Sequence, residues 1–138
     1  MTTPQKFLPQ PTVETEPYWQ GCREGRLLLQ RCTACGNWQF FPRLFCVVCE
    51  RGSLEWQPAS GRGAVESLTV VHVPLSEAYA ADVPYLVALI RLEEGPRVMA
   101  NLVECAPDVA RIGLPVEVTW ERRSETVVIP QFRPARLV

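Results

Sequence analysis

A mainly β chain is predicted: a short N-terminal helix, a small ribbon built around cysteines, and a C-terminal barrel of five strands. Three observations carry this. Four cysteines stand in two Cys-x-x-Cys pairs within RCTACGNWQFFPRLFCVVCE, residues 31 to 50. Before them, TEPYWQGCREG (15–25) has the marks of a short helix. After residue 63, segments rich in β-branched and aromatic residues alternate with turn signals. The 138 residues therefore divide into an arm and helix (1–25), a ribbon (26–59) and a barrel (60–138).

The first 14 residues contain Pro4, Pro9 and Pro11, too much proline for a helix, and are expected to lie extended along a surface. Thr15 then suits an N-cap, Glu16 and Pro17 suit a first turn, and Gly25 a stop. Tyr18, Trp19 and Cys22 share one face of this helix, which is expected to pack on the ribbon or the barrel.

Two thiolates two residues apart on a tight turn face one point, and a second such turn completes a tetrahedron around Zn²⁺. The expected ligands are Cys32, Cys35, Cys46 and Cys49, with ten residues between the pairs. A single pair could be a redox dithiol; two at this spacing favour metal. Gly36 fits the first knuckle, whereas Glu50 stands where glycine would be easier in the second, with Gly52 two positions on. Four protein ligands leave no open position, so the zinc is structural, and such a site contributes roughly 10–16 kcal/mol to folding of its module. Strands RLLLQR (26–31), NWQFFPR (37–43) and SLEWQP (53–58) flank the knuckles of this rubredoxin-like zinc ribbon. A ribbon this small cannot bury Trp38, Phe40, Phe41 and Phe45 together, so its FFPRLF tip is expected to touch something else.

SGRG (60–63) reads as a flexible joint. Strands follow at 64–73, 85–92, 97–104, 116–122 and 126–132, with EEGP (93–96) as a hairpin turn and Glu93 and Glu94 solvated in it. APDVARIGLP (106–115) fits the helical turn with which a five-stranded OB-fold crosses its barrel. Val116, Val118 and Trp120 alternate inward. YLVALIRL (85–92) is apolar on both faces, so Tyr85, Val87 and Leu89 are either covered by the ribbon or offered to another chain.

Composition narrows the function. At 47% hydrophobic and 21% charged, with a formal net charge of −1, the chain is an ordinary globular protein that does not bind through bulk positive charge. A zinc held by four thiolates adds about two negative charges. The start, MTTPQKFLPQPT, has no secretory pattern, and no apolar run is long enough to span a membrane. A cytoplasmic location is expected, with Cys22 and Cys105 as free thiols. The single histidine, His72, falls in a predicted strand, and no nucleophile motif, phosphate loop or framed pair of carboxylates is present. The chain is therefore expected to lack catalytic apparatus of its own.

The run from Pro17 to Val71, with VPYLVALIRLEEGPRVMANLVE, IGLPVEV and a closing FRPA, resembles a family of zinc-ribbon, OB-fold proteins associated with acyl-CoA and lipid metabolism. The resemblance rests on Tyr18-Trp19 with Gly21, the four cysteines, Phe41-Pro42-Arg43, Ser60-Gly61-Arg62-Gly63 and Gly95-Pro96-Arg97, with Glu50 as the departure. It implies a non-catalytic accessory subunit in a hetero-oligomer with a thiolase-superfamily enzyme, a thiolase or a retro-aldolase of the kind that acts on steroid side chains. The alternative implied partner is a hot-dog-fold enoyl-CoA hydratase. It further implies an acyl-CoA held nearby, for which Phe41, Arg43 and Arg62 are suitable in kind. Phe41 with Tyr85, Val87 and Leu89 is the expected partner interface. The competing class, nucleic-acid binding, is disfavoured by the pI of about 5.9 and by 14 basic against 15 acidic side chains.

Overall fold

The structure, a computed structural model, describes residues 4–136. Residues 1–3 of the expected arm, and 137–138, lie outside the described residues. Helix α1 (Glu16–Arg23) has Glu16 and Pro17 in its first turn, as expected. Thr15 precedes it without capping it, because the Thr15 hydroxyl turns back and accepts the Thr12 N–H at 2.8 Å. Arg23 instead steadies the helix from its last turn, donating to Glu16 and Gln20 at 2.6 Å each. Tyr18 and Cys22 are buried, and the helix packs on both the ribbon and the barrel.

The ribbon is a three-stranded antiparallel sheet of β1 (Leu28–Cys32), β2 (Trp38–Gln39) and β3 (Leu54–Pro58), ordered β2-β1-β3. Next come β4 (Arg62–Val71), β5 (Tyr85–Leu92), β6 (Arg97–Leu102), β7 (Pro115–Arg122) and β8 (Val128–Pro134). They close in the order β4-β5-β6-β8-β7, with β7 returning to β4, which is the five-stranded OB-fold barrel. Leu86, Ala88, Ile90 and Leu92 of β5 point inward with Val65, Val98, Leu102, Val116 and Phe132. Tyr18, Cys22, Leu27 and Leu29 belong to the same buried cluster, so one core runs from helix and ribbon into the barrel.

Several expectations are corrected. The SGRG run is no loose joint: Arg62 and Gly63 open β4 where the barrel closes, both pairing with β7 and Gly63 with β5 as well. Gly63 is there because a Cβ would sit 2.4 Å from the Arg91 carbonyl oxygen. Residues 106–114 hold no more than the expected helical turn, with the Ala110 N–H reaching the Ala106 carbonyl at 3.2 Å, and Pro115 already opens β7. Strand β8 lies two residues later than expected and β6 ends two residues earlier, at Leu102, which meets Phe132 in the parallel contact between them. His72 lies just beyond β4 and is exposed. Glu94 is partly buried rather than solvated, accepting the Ser60 N–H at 2.8 Å. Among the described residues no helix is long and apolar enough to cross a membrane.

Candidate metal centre and adjoining groove

The Sγ atoms of Cys32, Cys35, Cys46 and Cys49 all lie within 4.8 Å of one another, with Cys32–Cys49 and Cys35–Cys46 at 3.6 Å. Zn–S bonds of about 2.3 Å in a tetrahedron require sulfurs about 3.8 Å apart, so these residues fit Zn²⁺. Backbone amides support the cluster: Ala34 and Cys35 N–H point at Cys32 Sγ, at 3.3 and 3.4 Å, and Val48 and Cys49 N–H at Cys46 Sγ, at 3.4 and 3.5 Å. Gly36 and Glu50 both take positive φ, 77° and 60°, one in each knuckle. Glycine's other role falls to Gly52, where a Cβ would lie 2.1 Å from Cys32 Sγ. The Arg51 and Gly52 N–H groups bring the Cys49 thiol down to about 6, and those of Cys49 and Val48 lower Cys46. Cys35 moves the other way, to about 11: the Asn37 N–H favours its thiolate, but desolvation and hydrogen bonds with the other three sulfurs outweigh it. A dication at the centre reverses that balance, since a coordinating thiol is deprotonated outright. The four cysteines form a closed structural zinc site.

Strand β2 is only two residues long, so the chain after it leaves the sheet with backbone groups in need of partners. Two buried glutamines supply them. Gln30 donates to the Arg43 carbonyl and accepts the Arg43 N–H, both at 2.8 Å. Gln39 donates to Gln30 Oε1 at 3.0 Å and to the Phe45 carbonyl at 3.2 Å, and accepts the Val47 N–H at 3.1 Å. Sequence reasoning missed both residues. Their one signal is a polar side chain at an inward position of a ribbon strand, and which positions face inward depends on the sheet pairing.

Outward from this anchored loop stand Phe41, Leu44 and Phe45, 58%, 77% and 55% exposed, and Arg43. With Trp19 and the arm residues Pro9 and Thr12 they line a cavity of about 630 Å³. A second cavity, of about 520 Å³, shares Pro9, Tyr18, Trp19 and Phe41 with the first and continues onto the outer face of the barrel at Tyr85, Val87 and Met99. Phe41, Arg43, Tyr85 and Val87 thus lie along one groove. Leu89 is on the same face of β5, half-buried and paired with Met99, outside the groove. Arg62 is exposed at the barrel closure, also outside it. The arm closes the far end: Lys6 pairs with Asp82 at 2.6 Å, Phe7 N–H donates to the Tyr79 hydroxyl at 3.1 Å, and Arg123 donates to the Phe7 carbonyl at 3.0 Å.

Two family descriptions match adjacent parts of the chain: the rubredoxin-like zinc ribbon domain of ChsH2 over residues 19–55, and the C-terminal OB-fold domain of ChsH2 over residues 56–121. A DUF35 domain-containing scaffold protein of Methanothermobacter thermautotrophicus is 40% identical over 69% of this chain and 71% of its own length. A probable enoyl-CoA hydratase alpha subunit of Thermomonospora curvata is 38% identical over 96% of this chain, which spans only 41% of that relative. Among solved structures, a chain of the Ltp2-ChsH2(DUF35) aldolase superposes with a TM-score of 0.83 at 35% identity, covering 91% of this chain and 98% of that one.

Proposed function

The chain belongs to the DUF35 family of ChsH2-type zinc-ribbon and OB-fold proteins, and on that premise we propose that it is a non-catalytic subunit that binds and completes a thiolase-superfamily enzyme acting on an acyl-CoA. The observation that carries this is the continuous groove from the ribbon tip to the outer face of β5. Its floor of Tyr18, Trp19, Phe41, Tyr85 and Val87 is aromatic and aliphatic, the composition of a partner surface. Arg43 at the tip, beside Phe41, supplies a cation for a phosphate and a flat contact for a base or a pantetheine arm. Arg62 remains a candidate for CoA on exposure and charge alone. Tyr85, Val87 and Phe41 are the proposed enzyme contacts, with Leu89 at their margin. None of the six cysteines is in a disulfide, which suits a reducing compartment, and we place the chain in the cytoplasm.

Two observations separate this from its rivals. The relative from Thermomonospora curvata is named for a hydratase and carries more than the length matched here, which favours a hot-dog-fold hydratase as the second reading of the partner. Nucleic-acid binding is opposed on the barrel itself. An OB-fold reads single strands with its second and third strands and the flanking loops; here those strands present Tyr85, Val87 and Met99, while Lys6 and Arg123 beside them are paired with Asp82 and Glu121. Affinity purification of the tagged full chain from its own cell, with mass spectrometry and size-exclusion chromatography, decides among them. A stoichiometric thiolase-superfamily subunit is the expected result. A hydratase in its place supports the second reading, and a salt-sensitive shift of single-stranded DNA overturns both.

A further inference from the structure

We infer that Gln30 and Gln39 are positioning residues for recognition: their buried amides set the shape of the ribbon-tip loop in which Phe41, Arg43 and Phe45 meet the partner enzyme. The inference rests on the functional reading above and adds the device that presents the surface. Gln30 and Gln39 face each other across the β1–β2 pairing and are only 4% and 6% exposed. Side chains without polar atoms at those two inward positions would pack the ribbon but leave the loop's backbone groups without partners. Instead, Gln30 grips both backbone groups of Arg43, as a neighbouring strand would, and Gln39 holds the backbone at Phe45 and Val47. The mutual hydrogen bond at 3.0 Å joins the two amides into one network. Every second residue of the loop, at 43, 45 and 47, is thereby fixed through its backbone. The side chains are left free: Phe45 and Val47 remain 55% and 52% exposed and Arg43 is exposed. Rigid presentation of exposed apolar groups lowers the ordering cost of association, which is the benefit such a network confers.

The test uses the full zinc-loaded chain and the thiolase-superfamily subunit that co-purifies with it. Gln30→Leu removes the hold on Arg43, and Gln39→Met removes only the contacts to Phe45, Val47 and Gln30. Zinc content and amide protection in β5 establish that each variant folds. Hydrogen exchange at the Arg43 and Val47 amides is expected to accelerate about tenfold or more, and the dissociation constant for the enzyme to rise about tenfold. Phe45→Ala is expected to weaken wild-type binding but to add little in the Gln39→Met background, because the Phe45 carbonyl is no longer held and the loop no longer presents the ring. Unchanged exchange in both variants, faster exchange with wild-type affinity, or strictly additive losses would each overturn the positioning role while the functional reading stands. A wild-type chain that binds no such enzyme defeats the functional reading and this inference together, and is told apart because the loss appears before any substitution.

Discussion

Glu50 holds the second knuckle at φ 60°, a region where a Cβ costs about 1–2 kcal/mol, while its side chain is exposed. Glu50→Gly should relieve most of that cost, less a fraction returned to the more flexible unfolded chain, and raise the midpoint of thermal unfolding of the zinc-loaded protein by roughly 2–4 °C. An unchanged or lower midpoint would show that the carboxylate has a role of its own. Cys35→Ser acts in the opposite sense: it removes one thiolate of a closed site, so zinc content should fall sharply and residues 26–58 become protease-sensitive. Full zinc occupancy in that variant would remove Cys35 from the ligand set. The cysteines were legible in the sequence because their spacing encodes their geometry. Gln30 and Gln39 were not, because the groups they satisfy lie on a loop reached only through tertiary packing, 13 residues away in the case of Gln30 and Arg43.

The strands are unevenly legible in the sequence, for local reasons. Strand β5 runs from Tyr85 to Leu92 as expected, since Gly95 and Pro96 punctuate its end and the hairpin closes with the Leu92 N–H on the Pro96 carbonyl at 2.9 Å. Gly61 does use glycine's freedom, at φ 79°, whereas Gly63 serves close approach to the Arg91 carbonyl, a distinction that depends on which strands meet there. The arm was legible as extended, but its contacts were not. Three polar contacts from Lys6 and Phe7 fasten it to the 3-10 segment Glu77–Asp82 and to Arg123. The one ion pair, Lys6 with Asp82, is partly exposed and contributes about 0–1 kcal/mol, and the two hydrogen bonds at this surface add little more. Deleting residues 1–8 should therefore leave zinc content and the unfolding midpoint nearly unchanged while hydrogen exchange across residues 76–84 accelerates. Unaltered exchange there would show that the loop holds its shape without the arm. Glu94 joins two elements in the same way: Glu94→Ala strips the Ser60 N–H of its acceptor and should cost about 1 kcal/mol, an effect that a solvated turn residue would not produce.

At the scale of the molecule, helix, ribbon and barrel share one buried cluster, so the ribbon tip and the outer face of β5 keep a fixed relation and can act as a single surface. That surface exposes more apolar area than an isolated chain of this size usually tolerates: Phe41, Leu44, Phe45, Val47, Val48 and Met99 are each more than half exposed. The free protein is accordingly expected to self-associate, and to become monodisperse when the proposed enzyme partner is supplied. Truncating an aromatic anchor at the centre of such an interface costs about 2 kcal/mol or more, whereas removing a peripheral charge costs much less. Phe41→Ala and Val87→Asp should thus weaken assembly tenfold or more by titration, with Glu93→Ala, whose exposed side chain lines none of the groove, serving as the neutral comparison. Arg43→Ala separates the two roles of the tip. If the guanidinium meets the CoA phosphates, the complex assembles as before while the Michaelis constant for the thioester rises. If it meets the enzyme instead, affinity falls and the Michaelis constant of the assembled complex stays where it was. Normal assembly of Val87→Asp would sink the interface assignment at once, because a carboxylate cannot be buried unpaired against an apolar partner at that position without a large cost.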